Sequence, residues 1–265
     1  MSVLVLLGTW ACSPNSGTST GNPTTVGIKF AGLPEGISPA LGLSVTGGVL
    51  LTEARIVLRN MDMDPLSACL AEAANPDLNI ESGFSFPGPF VVDLLANTSI
   101  PDVDRIPVPA DDYCEIGVDF DPLRREEVPP GILPDDSIIG HALIVRGSRS
   151  DGVPFAVRLD QNDRFKLEAA SPDGFAIQGS PAVTLLFFSF DLNAWFAGVD
   201  LDGATVSPDG SIVIDDDDNP DLRSIIVENV KRSARLFEDL NGNGILDADE
   251  IANSLVLGIG ADEPD

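Results

Sequence analysis

Near the C-terminus, twelve consecutive residues from Asp239 to Glu250 set oxygen-bearing side chains at a spacing that suits a hard cation. Asp239, Asn241, Asn243 and Asp247 stand at loop positions one, three, five and nine. Glu250 stands at position twelve, where both carboxylate oxygens can close a site, and Ile245 offers its backbone carbonyl at position seven. Gly244, at position six, falls where the sharp turn needs a positive φ. Leu246 is then expected to turn inward. Oxygen donors without imidazole or thiolate select calcium over zinc, and magnesium would need a tighter octahedron. Asparagine replaces aspartate at two ligand positions and leaves three carboxylates, so affinity is expected to be modest, about 10⁻⁴ to 10⁻³ M as in extracellular modules. A solvated turn in an acid-rich chain is the competing reading; six matched positions at fixed spacing favour the metal loop.

The pattern resembles the loop of an EF-hand. A helix is predicted before it over 220–238, with Asn219 as N-cap and Pro220 at the first helical position. Leu222, Ile225, Ile226, Val230, Ala234 and Phe237 recur at helical spacing along one stripe. After the loop, 251–257 predicts about two further turns, ended by Gly258 and Gly260. No second loop is legible. The run Asp215 to Asp218 reads as a solvated acidic turn before a helix whose positive dipole end favours carboxylates.

At the other end, residues 1–11 form a short apolar run with Ala11 in the last place, followed by Cys12 and a Ser/Thr/Gly/Pro tract. This resembles a bacterial lipoprotein signal and its tether. The resemblance implies cleavage before Cys12, lipidation of that residue, and a protein anchored to the bacterial cell envelope or surface. The apolar run is shorter than the roughly 20 residues that a stable membrane span needs. Residues 12–25 read as a flexible tether. No Lys or Arg precedes the apolar run, which departs from the signal pattern. A cytosolic protein with an apolar N-terminus is the competing reading.

With 42 acids against 15 bases, the formal charge is −27 and the scattered cations oppose binding of nucleic acid. Calcium and, through the lipid anchor, a membrane are the expected partners; a protein or glycan ligand is open. Once Cys12 is assigned to lipid, Cys69 and Cys114 remain as a pair. In an oxidising compartment they are expected to form a disulfide; two buried free thiols are the alternative.

The residues between tether and helix alternate as strands do. Phe155, Val157 and Leu159 alternate with Ala156, Arg158 and Asp160, and further strands are predicted over 26–31, 51–61, 90–95, 113–120, 138–147, 183–190 and 211–214. Two more centre on Phe165 and Leu167 and on Phe175 and Ile177. Many short strands and 21 prolines predict a mainly β chain, an antiparallel β-sandwich or barrel over 26–214, with the helix and calcium loop in 215–265. The best internal boundary is 121–134, either a long loop or a link between two sheets. One domain is the preferred reading.

Residues 51–60, 90–95 and 106–116 resemble uncharacterised bacterial β-sandwich lipoproteins. That resemblance implies a fold and a surface location, and no catalytic residues. His141, the only histidine, sits in an apolar stretch and reads as a half-buried strand residue before it reads as a general base. No G-x-S-x-G surrounds a serine, and no glycine loop with lysine is present. Trp195 lies in an aromatic cluster that reads as core, with sugar stacking as the alternative. The expected function is therefore a non-enzymatic, calcium-binding, lipid-anchored protein with a structural or ligand-binding β-domain. A secreted carboxylate-dependent hydrolase, for example acting on carbohydrate, is the alternative.

Overall fold

Alternating apolar and polar residues build the largest regular part of this molecule as strands. The computed structural model describes residues 23–33, 42–75, 83–103, 106–178, 184–253 and 256–262. The expected signal 1–11, Cys12 and the tether up to residue 22 lie outside them. In chain order the elements begin with β1 (Pro23–Leu33), β2 (Leu43–Val45), β3 (Val49–Pro65), α1 (Leu66–Ala74), β4 (Phe84–Phe86), β5 (Phe90–Asp93) and β6 (Thr98–Ile100). There follow β7 (Ile106–Pro109), β8 (Asp111–Phe120), β9 (Leu143–Ser148), β10 (Pro154–Leu159), β11 (Asp163–Ala169), β12 (Phe175–Ile177) and β13 (Thr184–Asp191). The chain ends with α2 (Leu192–Trp195), β14 (Ile212–Ile214), α3 (Pro220–Ser233), β15 (Ala234–Glu238), α4 (Ala248–Asn253) and β16 (Gly258–Asp262).

The protein is mainly β. One sheet runs β14-β10-β9-β3-β8-β11-β16-β15-β13-β1-β7, with the shorter strands attached to it at β3, β5 and β8. It is curled into a half-barrel and is mixed, because β1 lies parallel to β13 and β10 parallel to β14. The mainly β class is as expected, whereas the mixed strand directions differ from the all-antiparallel sandwich or barrel that the sequence predicts. Alternation reports which face a residue takes and says nothing of strand direction, while parallel pairing needs only a long crossover, and more than a hundred residues separate β1 from β13.

The inner face of the curl holds the main core, including Ile56, Leu58, Val118, Phe165, Phe188, Phe190 and Trp195. Two smaller clusters lie apart from it. Val57, Val91 and Ile144 pack with Leu123 and Ile138, and Phe187 packs with Ala31, Phe237 and Leu246. Burial on both faces explains the unbroken apolar runs Ile56-Val57-Leu58 and Leu186-Phe187-Phe188. The first small cluster is covered by the segment that sequence marked as a boundary. Arg59 clamps it through Asp121 at 2.7 Å and Glu127 at 2.8 Å, and Arg55 through Asp136 at 2.7 Å. These charges are half-buried or more, so their pairing holds better than a surface ion pair would.

Several expectations shift. Residues 138–142 form turns around a lone bridge of Ile139 with Leu123, so the strand predicted over 138–147 begins at Leu143 and His141 lies at the end of the turn before it. Residues 23–25 of the expected tether are already part of β1. Cys69 on α1 is joined to Cys114 on β8, which ties the helix to the sheet. Across 45 residues such a link stabilises by about 4 kcal/mol in the chain-entropy model. Cys114 does not point into the core as alternation with Ile116 suggests. Tyr113 is buried instead, because the β3/β8 register slips between Asp64 and Pro65.

The largest correction concerns the predicted helix 220–238. It ends at Ser233, and residues 234–238 form β15 between β13 and β16. Asn219 adopts a left-handed conformation and its side chain bonds the backbone of Thr205 and Val213 in place of capping the helix. Ile226 and Val230 carry the helix onto the core, and Trp195, fully buried, donates its indole N–H to Ser233 Oγ at 2.8 Å. Trp195 is thus a core residue and offers no face to a sugar.

Candidate functional site

The loop 239–250 hangs between β15 and α4, entered from a strand where an EF-hand would supply a helix. Its exit helix spans Ala248–Asn253, where 251–257 was expected, so Glu250 sits in the first turn. Gly258 and Gly260 belong to β16 and do not end a helix. At Gly260 a Cβ would come within 2.0 Å of the Lys231 carbonyl oxygen, so glycine permits α3 to cross β16 closely.

Within the loop the predicted residues come together in a defined hydrogen-bond pattern. Asp239 accepts the N–H of Gly242 at 2.7 Å on one oxygen and that of Gly244 at 2.8 Å on the other. Asn241 Oδ1 accepts from Asn243 N–H, and Asn243 Oδ1 from Ile245 N–H, at 2.8 and 2.6 Å. These contacts wind the backbone inward, with Gly242 and Gly244 at positive φ as the turns require. Both asparagine amides then donate to the same oxygen of Asp247, at 2.9 Å from Asn241 and 3.4 Å from Asn243. Glu250 is buried at 4% exposure; its carboxylate accepts from the N–H groups of Leu240 and Asn241 on one oxygen and Asp247 on the other.

Positions three, five and nine are therefore within bonding reach of one another. The side-chain N–H donors of Asn241 and Asn243 stand against the Asp247 carboxylate where a cation's charge would act. Among the described residues, no group of three or more His, Cys, Asp or Glu side chains is drawn together so as to hold a metal ion. The donor set fits calcium by type and spacing, since every candidate ligand is a hard oxygen. Loading would ask the two asparagine amides to turn their oxygens toward Asp247 and Glu250 to give up backbone N–H bonds. Ile245 projects its side chain into solvent, 62% exposed, and Leu246 is buried against Ala31, Phe187 and Phe237 as its inward turn predicts.

One contact of the loop escaped the sequence. Lys29 on β1 donates from Nζ to the Gly244 carbonyl at 2.8 Å, 215 residues away in the chain. The only hint was the rarity of lysine in so acidic a chain, where only Lys29, Lys166 and Lys231 occur.

Elsewhere, a polar cleft of about 490 Å³ is lined by Arg59, Asp119, Asp121, Asp163 and Arg164 among others. Its carboxylates are held by cations: Asp121 by Arg59, Asp119 by Arg164 at 3.5 Å, Asp163 by Lys231 at 2.8 Å. His141 is half-buried, and burial holds its pKa below the usual imidazole range. No protein-family model matches the chain, no curated protein matches it, and no solved structure matches it.

Proposed function

We propose that this chain is a calcium-binding protein of the bacterial cell envelope or surface, lipid-anchored through Cys12, whose β-domain serves a structural or ligand-binding role. The observation that carries the reading is the loop 239–250. Its oxygen-bearing side chains recur at calcium-ligand spacing, and the inward winding on Asp239, Asn241 and Asn243 brings positions three, five and nine into mutual reach. Asp239, Asn241, Asn243, Asp247, Glu250 and the Ile245 carbonyl would hold the ion, and calcium would supply charge that braces the loop. The Cys69–Cys114 disulfide supports an oxidising compartment. At the cleft lined by Arg59 and Arg164 the hydrolase alternative has less support, since the carboxylates there are fixed as partners of Arg59, Arg164 and Lys231.

Calorimetric titration with calcium tests the metal site. Binding in the range of about 10⁻⁴ to 10⁻³ M is expected, with Glu250→Gln weakening it by at least about tenfold through loss of the bidentate ligand. A wild type that gives no binding heat, or a variant that binds equally well, would remove the calcium reading.

A further inference from the structure

Asparagine is followed by glycine at two places in the chain, Asn241-Gly242 and Asn243-Gly244, and both lie in the loop. An asparagine in front of a glycine is chemically labile. The glycine nitrogen can attack the asparagine Cγ and close a five-membered imide, and glycine has no Cβ to obstruct the approach. The side-chain amide leaves as ammonia and carries off the proton of the glycine N–H. Water then opens the imide at either carbonyl, leaving aspartate or its isomer with the main chain running through the side-chain carboxyl carbon. The sum is asparagine and water to aspartate or isoaspartate and ammonia, with no change of oxidation state.

Both asparagines are exposed, so water reaches them. What the loop controls is the attack. In the imide, Cγ takes the place in the peptide plane that the N–H hydrogen held, so a glycine N–H aimed elsewhere is a nucleophile aimed elsewhere. Asp239 aims both. One of its oxygens accepts the Gly242 N–H at 2.7 Å and the other the Gly244 N–H at 2.8 Å. The asparagine side chains are held at both ends as well. Their Oδ1 atoms accept the N–H groups of Asn243 and Ile245, and their Nδ2 atoms donate to Asp247. Cyclisation needs a glycine N–H and an asparagine side chain to leave their partners together, and a carboxylate acceptor makes the first bond the harder to break. A single side chain, Asp239, thus controls both nucleophiles.

We propose that Asn241 and Asn243 are a paired self-modification site gated by Asp239. The asparagines persist while its carboxylate holds the two glycine nitrogens, and they convert to aspartate and isoaspartate when the loop opens locally and that hold is lost. The hold is made without any ion, so the modification goes beyond the calcium reading. Its consequence for the proposed calcium site rests on that reading: positions three and five would each gain a carboxylate, and the isomer would lengthen the loop backbone.

Peptide mapping by mass spectrometry, on the full chain aged at neutral pH with a calcium chelator, tests it by the converted fraction of Asn241 and Asn243. Folded wild type is expected to convert at least about tenfold more slowly than the same chain unfolded in guanidinium chloride. Asp239→Ala, checked by circular dichroism to keep its strands, is expected to convert at both asparagines at least about tenfold faster than folded wild type. Lys29→Met is the control, because it frees the Gly244 carbonyl from β1 and leaves both glycine nitrogens on Asp239; it is expected to stay near the wild-type rate. Folded wild type converting as fast as the unfolded chain, a folded Asp239→Ala variant no faster than wild type, or Lys29→Met as fast as Asp239→Ala would each overturn the proposal. The first comparison carries the test if Asp239→Ala does not fold. With chelator present throughout, failure here leaves the calcium reading to its own titration, and loss of that reading leaves this proposal standing.

Discussion

At the scale of single residues, charge is placed with the same care in the ordinary strands as in the loop. Asp64 on β3 stands directly opposite Glu115 on β8. Burial, then the neighbouring charges of Asp62 and Glu72, hold the Asp64 carboxyl above the usual range. Burial raises Glu115 too, although Lys166 lies 3.1 Å from it. A carboxyl whose folded pKa exceeds its unfolded value binds its proton more tightly when folded. Its charge therefore destabilises the fold at neutral pH, and that cost fades as pH falls through the folded pKa toward the unfolded one. Asp64→Asn is expected to raise the melting temperature at pH 7 and to leave it unchanged near pH 3, where Asp64 is protonated in both states. Thermal melts at the two pH values check this; an equal gain at both would mean that packing, and not charge, set the difference.

At the scale of elements, the C-terminal region shows where sequence patterning divides. Val230, Ala234 and Phe237 recur at helical spacing, yet Ala234 and Leu236 also alternate as a strand. The slot between β13 and β16 decides for the strand, because its backbone groups find partners on both sides there. The crossing of α3 over β16 depends on Gly260. Gly260→Ala drives a methyl group into the Lys231 carbonyl and is expected to cost about 1 to 3 kcal/mol, as overpacking does. Denaturant melts read the loss; an unchanged midpoint would mean that the helix does not seat there. The strands themselves were largely legible, since alternation in Phe155 to Leu159 and Phe165 to Leu167 appears as β10 and β11. So was the inward turn of Leu246. Strand partners, the turn at His141 and the reach of Lys29 to Gly244 were not, because each is set by residues far away in the chain.

At the scale of the whole molecule, the loop closes the outer face of the sheet. Leu246 and Phe237 pack with Ala31 of β1 and Phe187 of β13, so the segment carrying the proposed calcium ligands shares a core with strands from both ends of the chain. An ion bound only by the folded state stabilises the whole of whatever unfolds with its site, by about 2.7 kcal/mol at a hundredfold excess over Kd. The shared cluster makes that unit the β-domain and not the loop alone. Phe237, 3% exposed, is the residue in common, on β15 only two places before Asp239. Phe237→Ala is expected to cost about 3 to 5 kcal/mol and to weaken calcium binding as well, because Leu246 loses the ring that holds the loop in register. Denaturant unfolding with and without calcium, paired with calorimetry on the folded variant, measures both. A variant that unfolds earlier yet binds calcium as wild type does would make the loop an independent appendage, and calcium would then stabilise the loop without bracing the sheet.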